Sequence, residues 1–164
     1  MYALNEAVVR TSSVVIETSL GTGFYGSNHV YLYADGQLTL TCQSNASNCF
    51  FATGGSRVQA NAISITGGNA AFFITFGTTA TVGRLDTAGT RYGALVQFGS
   101  TLFSSAGVIQ ATSSTGNGLQ TSYESSAYCS NCEYRGSPGR ANYAMVAQHS
   151  VVYAPTVNVT AWNA

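Results

Sequence analysis

The stretch V-Y-L-Y-A-D-G-Q-L-T-L, from Val30 to Leu40, is the clearest structural signal in the chain. Ala34-Asp35-Gly36 separates two runs of aromatic and aliphatic residues, which predicts two strands joined by a tight turn. A two-residue turn would mix polar and apolar residues on both faces, so we favour a three-residue loop with Gly36 left-handed. That register gathers four apolar residues on one face: Val30, Leu32, Leu38 and Leu40.

The remaining sequence continues this pattern. Short runs of β-forming residues recur at roughly ten-residue spacing, separated by turns that draw on 18 glycines. This arrangement predicts an all-β domain, an antiparallel β-sandwich or jelly roll. We find no repeat of fixed period in the sequence, so neither a solenoid nor a propeller is expected.

We expect two regions. Residues 1–19 form an N-terminal arm or first strand, and residues 20–164 form a single β domain. Within the arm, Tyr2 to Arg10 carries a weak helical pattern, whereas Thr11 to Ser19 reads as a strand. An extended arm could be donated to the sheet of a neighbouring subunit, so it is a candidate intersubunit connector.

The composition is unusual in its lack of charge. Only 7% of the 164 residues are charged and the formal net charge is zero, against about 25% charged residues in ordinary domains. All six basic residues are arginine. A basic face for nucleic acid is therefore not indicated, and a neutral surface offers little repulsion against association. The chain has no apolar run long enough for a membrane span, and its first residues do not read as a signal peptide.

Four cysteines occur as two close pairs, Cys42 with Cys49 and Cys129 with Cys132. In a charge-poor chain rich in Ser, Thr and Asn, this favours structural disulfides and an extracellular, cell-surface or virion location. Local pairing is the simplest connectivity, although the sequence leaves other pairings open. A metal site is the first alternative, but Cys-x-x-Cys at 129–132 would need two further ligands. Free or intersubunit cysteines are the second.

Catalytic motifs are not evident. His29 and His149 have no acidic neighbour in the sequence, and the six acids form no close cluster, so no catalytic residue, cofactor or metal ligand is predicted. Asn45 and Asn158 match the N-glycosylation acceptor pattern. The ten tyrosines and single tryptophan could line a glycan-binding surface, but sheet faces and subunit contacts are the favoured use.

These features together predict a structural, self-assembling subunit that forms homo-oligomers or polymers. It would belong to an extracellular filament, such as a pilus-like fibre, or to a virion, as a capsid or tail protein. A secreted carbohydrate-binding or adhesin domain is the alternative. An enzyme ranks third, because it would require a cleft that brings His29 or His149 to a partner acid.

Overall fold

The computed structural model describes residues 1–19, 21–43, 45, 47–113, 116–135 and 143–160. The secondary structure of these residues consists of strands joined by turns and loops. In chain order the strands are β1 (Tyr2–Leu4), β2 (Val8–Thr11), β3 (Val14–Thr18), β4 (Phe24–Ser27), β5 (Tyr31–Cys42), β6 (Phe50–Ala52), β7 (Arg57–Gly67), β8 (Ala70–Ile74), β9 (Thr79–Gly89), β10 (Tyr92–Gln97), β11 (Thr101–Ala111), β12 (Asn117–Ser122), β13 (Ser126–Arg135), β14 (Met145–Gln148), β15 (Val151–Tyr153) and β16 (Val157–Thr160).

The strands form two parallel sheets. A seven-stranded short sheet has the order β1-β4-β6-β8-β10-β12-β14, and a nine-stranded long sheet has the order β15-β13-β11-β9-β7-β5-β2. In the long sheet β3 also pairs with β5, and β16 also pairs with β13. The chain alternates between the sheets and so winds into a β-solenoid of about 6 turns. The predicted antiparallel β-sandwich or jelly roll is therefore wrong, because alternating hydrophobicity identifies strands without fixing the direction in which they pair.

Each turn of the solenoid, called a rung here, contains one strand of the short sheet and one of the long sheet, except that in the first and last rungs the long-sheet part is divided into two strands. Val58 pairs with Ala80 and Ala80 with Leu102, which are two steps of 22 residues. Other steps are longer: Leu32 to Val58 spans 26 residues and Leu102 to Ala127 spans 25. One extra residue lies within β5, at the register shift between Ala34 and Gln37, and the others fall between β5 and β6 and between β11 and β12. These insertions break the period, and the repeat preserves inward apolar positions rather than particular residues, so sequence inspection missed the solenoid.

The stretch Val30–Leu40 is not a hairpin. β5 runs through it without reversing and pairs in parallel with β7, with a register shift between Ala34 and Gln37. The predicted apolar face is nevertheless confirmed, because its four residues are all buried. Gly36 does not have the positive φ that a turn would have required. Glycine is needed there because a Cβ atom would overlap the carbonyl oxygen of Ser12.

A buried row of hydroxyl groups follows the corner between the short and long strands. The Ser56 Oγ accepts a hydrogen bond from the Val30 N–H at 3.1 Å, and the Ser100 Oγ accepts one from the Thr78 N–H at 3.1 Å. The Ser100 N–H in turn donates to the Ser125 Oγ at 3.3 Å. Backbone donors left unpaired where the chain changes sheet are thus satisfied by the next rung.

The core consists of columns of stacked side chains that run along the solenoid axis. Phe24, Phe50 and Phe72 form one column, with 4.7 Å between successive ring centroids. A second column is continuous through the middle rungs of the long sheet, where every member is buried: Leu32, Val58, Ala80, Leu102 and Ala127. Because each rung contacts mainly its neighbours, stability depends on packing between adjacent rungs.

Residues 1–19 supply the first rung. β1 pairs with β4, and both β2 and β3 pair with β5 of the same chain. The weak helical prediction for Tyr2 to Arg10 is wrong, since this segment contributes β1 and most of β2. The intersubunit role of these residues stays a prediction. Among the described residues, no helix is long and apolar enough to cross a membrane.

Candidate interaction surface

A row of exposed aromatic rings follows the corner between the two sheets. It consists of Phe76, Phe98 and Tyr123, one from each of three successive rungs. The ring centroids of Phe76 and Phe98 are 4.8 Å apart, and those of Phe98 and Tyr123 are 4.5 Å apart. The planes differ by 4° and 1°, so the rings are stacked in parallel. This set is called the corner row.

The backbone of the corner row is unusual for aromatic residues. Phe76, Phe98 and Tyr123 have φ values of 52°, 51° and 56°, in the left-handed region. Asn28 and Gly54 occupy the corresponding corners of earlier rungs, and both residue types adopt this conformation readily. Bulky side chains are uncommon there, and such outliers frequently mark functional positions.

A second exposed row lies on the outer face of the long sheet. Phe103 and Tyr128 are register partners with ring centroids 4.9 Å apart, and Tyr128 is the partner of Tyr153 at 6.3 Å. This set is called the sheet row. The six residues of the corner and sheet rows, together called the aromatic surface, are each between 37% and 59% exposed. Within each row the rings contact one another, and clustered exposed apolar side chains of this kind mark interaction sites.

The outer face of the short sheet carries a third row. Tyr2, Tyr25, Phe51 and Phe73 follow one another with centroid distances of 5.3, 5.4 and 4.9 Å. Three of the four are half-buried, and Tyr2 in the first rung is exposed. Because its rings are more shielded than those of the aromatic surface, this row is the weaker candidate for an external contact.

Stacking determines what the corner row offers to a partner. The rings lie parallel and 4.5–4.8 Å apart, so Phe98 is stacked on both faces, whereas Phe76 and Tyr123 are each stacked on one face only. Sugars pack against exposed aromatic faces, whereas ring edges suit edge-to-face contacts with other aromatic side chains.

Charged groups on the long sheet pair with each other. The Arg84 Nε lies 2.7 Å from the Asp86 Oδ2, and the Arg135 Nη2 lies 2.8 Å from the Glu133 Oε2. The hydrogen bond to the Asp86 carboxylate raises the pKa of the Arg84 guanidinium, and the carboxylate charge adds to this effect. The Glu133 carboxylate raises the pKa of Arg135 in the same way. Pairs this exposed contribute little to stability, and they leave little net charge on this face.

Both cysteine pairs lie at disulfide distance. The Cα atoms of Cys42 and Cys49 are 5.6 Å apart, and the pair links the end of β5 to the start of β6. Cys129 and Cys132 lie within β13 with Cα atoms 5.7 Å apart. Two consecutive exposed residues, Ser130 and Asn131, shift the strand alternation so that both cysteines are buried. The pairs fit a protein of an oxidising compartment.

The remaining candidate residues are not brought together into a site. His29 and His149 are exposed at corners of different rungs. His149 lines a groove of about 400 Å³ with Ser122, Tyr123 and Gln148, none of which is acidic. Within the described part of the chain, no three His, Cys, Asp or Glu side chains group closely enough to hold a metal ion.

The two glycosylation candidates lie in different settings. Asn45 is exposed in the connection between β5 and β6, where its side-chain oxygen accepts a hydrogen bond from the Thr90 hydroxyl at 2.6 Å. Asn158 lies in β16 and is the register partner of Glu133. Glycosylation at either residue stays a prediction.

Sequence inspection missed the three aromatic rows, although a signal was present. Phe51 and Phe73, and likewise Phe76 and Phe98, are separated by the 22-residue step of the solenoid. Comparison with known proteins adds no further assignment, because no family model, curated protein or solved structure matches the chain.

Proposed function

We propose that the protein is a structural, self-assembling subunit of an extracellular filament or a virion. The observation that carries this proposal is the aromatic surface. Six aromatic side chains are exposed in ordered rows, on a chain in which only 7% of residues are charged. Leaving these rings in water is unfavourable by roughly 25 cal/mol for each Å² of apolar surface, and contact with another copy would remove that cost.

Another copy of the chain is the partner that this surface fits best. The rows repeat along the solenoid axis, so two copies placed side by side would bring ring edges of one row against rings of the other over several rungs. Interfaces between identical subunits are more apolar than transient ones, and they are depleted of charge at their centre. Both properties describe the aromatic surface. The cysteine pairs at disulfide distance support the extracellular or virion location.

The test is the association state of the purified full chain. We expect sedimentation velocity to show large species that grow with concentration, and negative-stain electron microscopy to show filaments or shells. Changing Phe98 and Tyr123 together to Asn should weaken association at least tenfold. Asparagine already occupies this corner at Asn28, so the positive φ is tolerated and the fold should persist.

The matched control is Gln43→Asn, an exposed position just after β5 that lies outside the aromatic surface. It should leave association unchanged. A wild-type chain that stays a dispersed monomer at high concentration would overturn the proposal. The secreted carbohydrate-binding or adhesin alternative would then be tested on a glycan array.

A further inference from the structure

We infer that copies of this chain stack end to end. The last rung of one copy (β14, β15 and β16) would pair in parallel with the first rung (β1, β2 and β3) of the next. This inference rests on the proposed self-assembly and specifies its geometry: the solenoid continues from one molecule into another along a common axis.

Both ends of the solenoid present strand edges. β1 and β14 are the outermost strands of the short sheet, and β2 and β15 are the outermost strands of the long sheet. β3 and β16 extend these two edges of the long sheet. Within the described ranges, no strand covers the outer side of either end rung. Unpaired edges of this kind are templates for pairing with another chain.

The core columns are interrupted at these ends. The column of Leu32 and Ala127 is buried through the middle rungs, but its end members Val9 and Val152 are only half-buried. Placing the first rung of a second copy on the last rung would seat Val9 on Val152. The column would then continue without a break, and both valines would gain the burial that their counterparts have inside one molecule.

Two further positions of the first and last rungs also correspond across the junction between copies. On the short sheet, register places Ala3 at one end and Ala147 at the other end of a single column. Beyond the bend of the long sheet, Val14 and Val157 hold corresponding backbone positions, as the partners of Leu38 and Cys132. A small residue therefore meets a small one at Ala3 and a valine meets a valine at Val9, and the backbone positions of the two ends also correspond at Val14.

The first rung lacks the devices that usually prevent edge pairing. Proteins commonly protect an edge with an inward-pointing charge or a proline. Here the residues packed against the core, including Val9, Val14 and Ile16, are apolar. The three charged residues of this rung, Glu6, Arg10 and Glu17, are all exposed.

One of these exposed charges would gain a contact at the junction. Arg10 is the register partner of Tyr33, and Tyr153 holds the same column at the opposite end. Stacking would therefore bring the guanidinium beside a tyrosine ring, a favourable cation–π arrangement.

The symmetry of this contact determines the product. Two different surfaces of the molecule meet, so the interface is head-to-tail, and successive copies are related by a translation along the solenoid axis. Such a contact does not close on itself and generates an open filament. Rows on the outer surface, including the aromatic surface, would repeat along that filament and remain free for lateral contacts.

The test uses full-length variants that block one end each. Val9→Lys places a charge in the first-rung column, and Val152→Lys does the same in the last rung. The control is Val8→Lys, on the same strand but exposed and outside the core columns. We expect filaments from the wild type and from Val8→Lys, and no filaments from either blocked variant, in which only lateral contacts through the aromatic surface remain. Mixing the two blocked variants should give end-to-end pairs and nothing longer along the axis, because only one compatible pair of ends remains.

A capping experiment keeps the inference testable if Val9→Lys fails to fold, as judged by circular dichroism. Val152→Lys retains an intact first rung, so a tenth of an equivalent added to the wild type should shorten the filaments severalfold. Filaments formed equally by both folded blocked variants, or folded variants that form no end-to-end pairs when mixed, would overturn the end-to-end geometry. If only the Phe98 and Tyr123 variant lost assembly, the proposed function would stand but the end-to-end geometry would not. A wild-type chain that stays dispersed would overturn the proposed function and the end-to-end geometry together.

Discussion

Ser56→Ala tests the buried hydroxyl row on which the corners depend. The Ser56 hydroxyl accepts a hydrogen bond from the Val30 N–H at 3.1 Å and donates one to the Thr53 carbonyl oxygen at 2.6 Å. Both Ser56 and Val30 are buried. Alanine would leave the Val30 donor unsatisfied, at about 1–3 kcal/mol, and would remove a second bond worth about 1 kcal/mol.

A loss of about 3 kcal/mol follows from these two contributions. In a chain of this length, that corresponds to a fall in the melting temperature of about 6–12 °C. Solenoids can unfold rung by rung, so the local readout matters as much as the global one. We expect urea denaturation to report the loss and amide hydrogen exchange to show faster exchange at Val30 than at core amides of distant rungs.

Two further variants separate the hydrogen bonds from the general effect of removing a hydroxyl. Ser105→Ala makes the same chemical change at an exposed position and should alter stability by less than about 0.5 kcal/mol. Ser56→Thr should retain most of the stability, because Thr78 fills the equivalent position of a neighbouring rung. If Ser56→Ala matched Ser105→Ala in stability and left Val30 exchange unchanged, the structural role assigned to the row would be refuted.

Two further predictions concern positions in the long sheet. The Tyr134 hydroxyl is buried without a hydrogen-bond partner among the described residues, and burial raises the pKa of Tyr134 to about 12. The unfolded chain loses this proton near pH 10, so stability should fall by about 1.4 kcal/mol per pH unit between pH 10 and 12. Tyr134→Phe should remove that fall and stabilise the protein by about 1 kcal/mol at pH 7. Urea denaturation at pH 7 and between pH 10 and 12 measures both effects, with exposed Tyr128→Phe as the control. Equal free energies of unfolding for the two variants would contradict the prediction. Gly36→Val should lower the free energy of unfolding by at least about 2 kcal/mol, because the valine Cβ would overlap the Ser12 carbonyl oxygen. Asp35→Ala is the control at the neighbouring position. Equal melting temperatures for the two variants would contradict the close packing of β2 and β3 on β5.

The difference between the hairpin prediction and the observed strand shows where local pattern stops being informative. Ala34-Asp35-Gly36 has turn-forming residues, and in an antiparallel protein they would reverse the chain. Here β7 pairs along the whole of β5, so the strand continues and absorbs the extra residue as a register shift. The glycine is still required, but the requirement comes from Ser12 in the first rung rather than from its own φ.

The sequence by itself determined the all-β class, the apolar face of Val30–Leu40 and the closeness of each cysteine pair. These features depend on side-chain polarity and on separations of a few residues, which are local properties of the chain. The tertiary structure alone decided the parallel pairing, the rungs and the aromatic surface, because each requires residues 22 to 26 positions apart to become neighbours. Insertions between β5 and β6, and between β11 and β12, hide that spacing in the sequence, whereas in the fold the strands on either side of them still pair rung to rung.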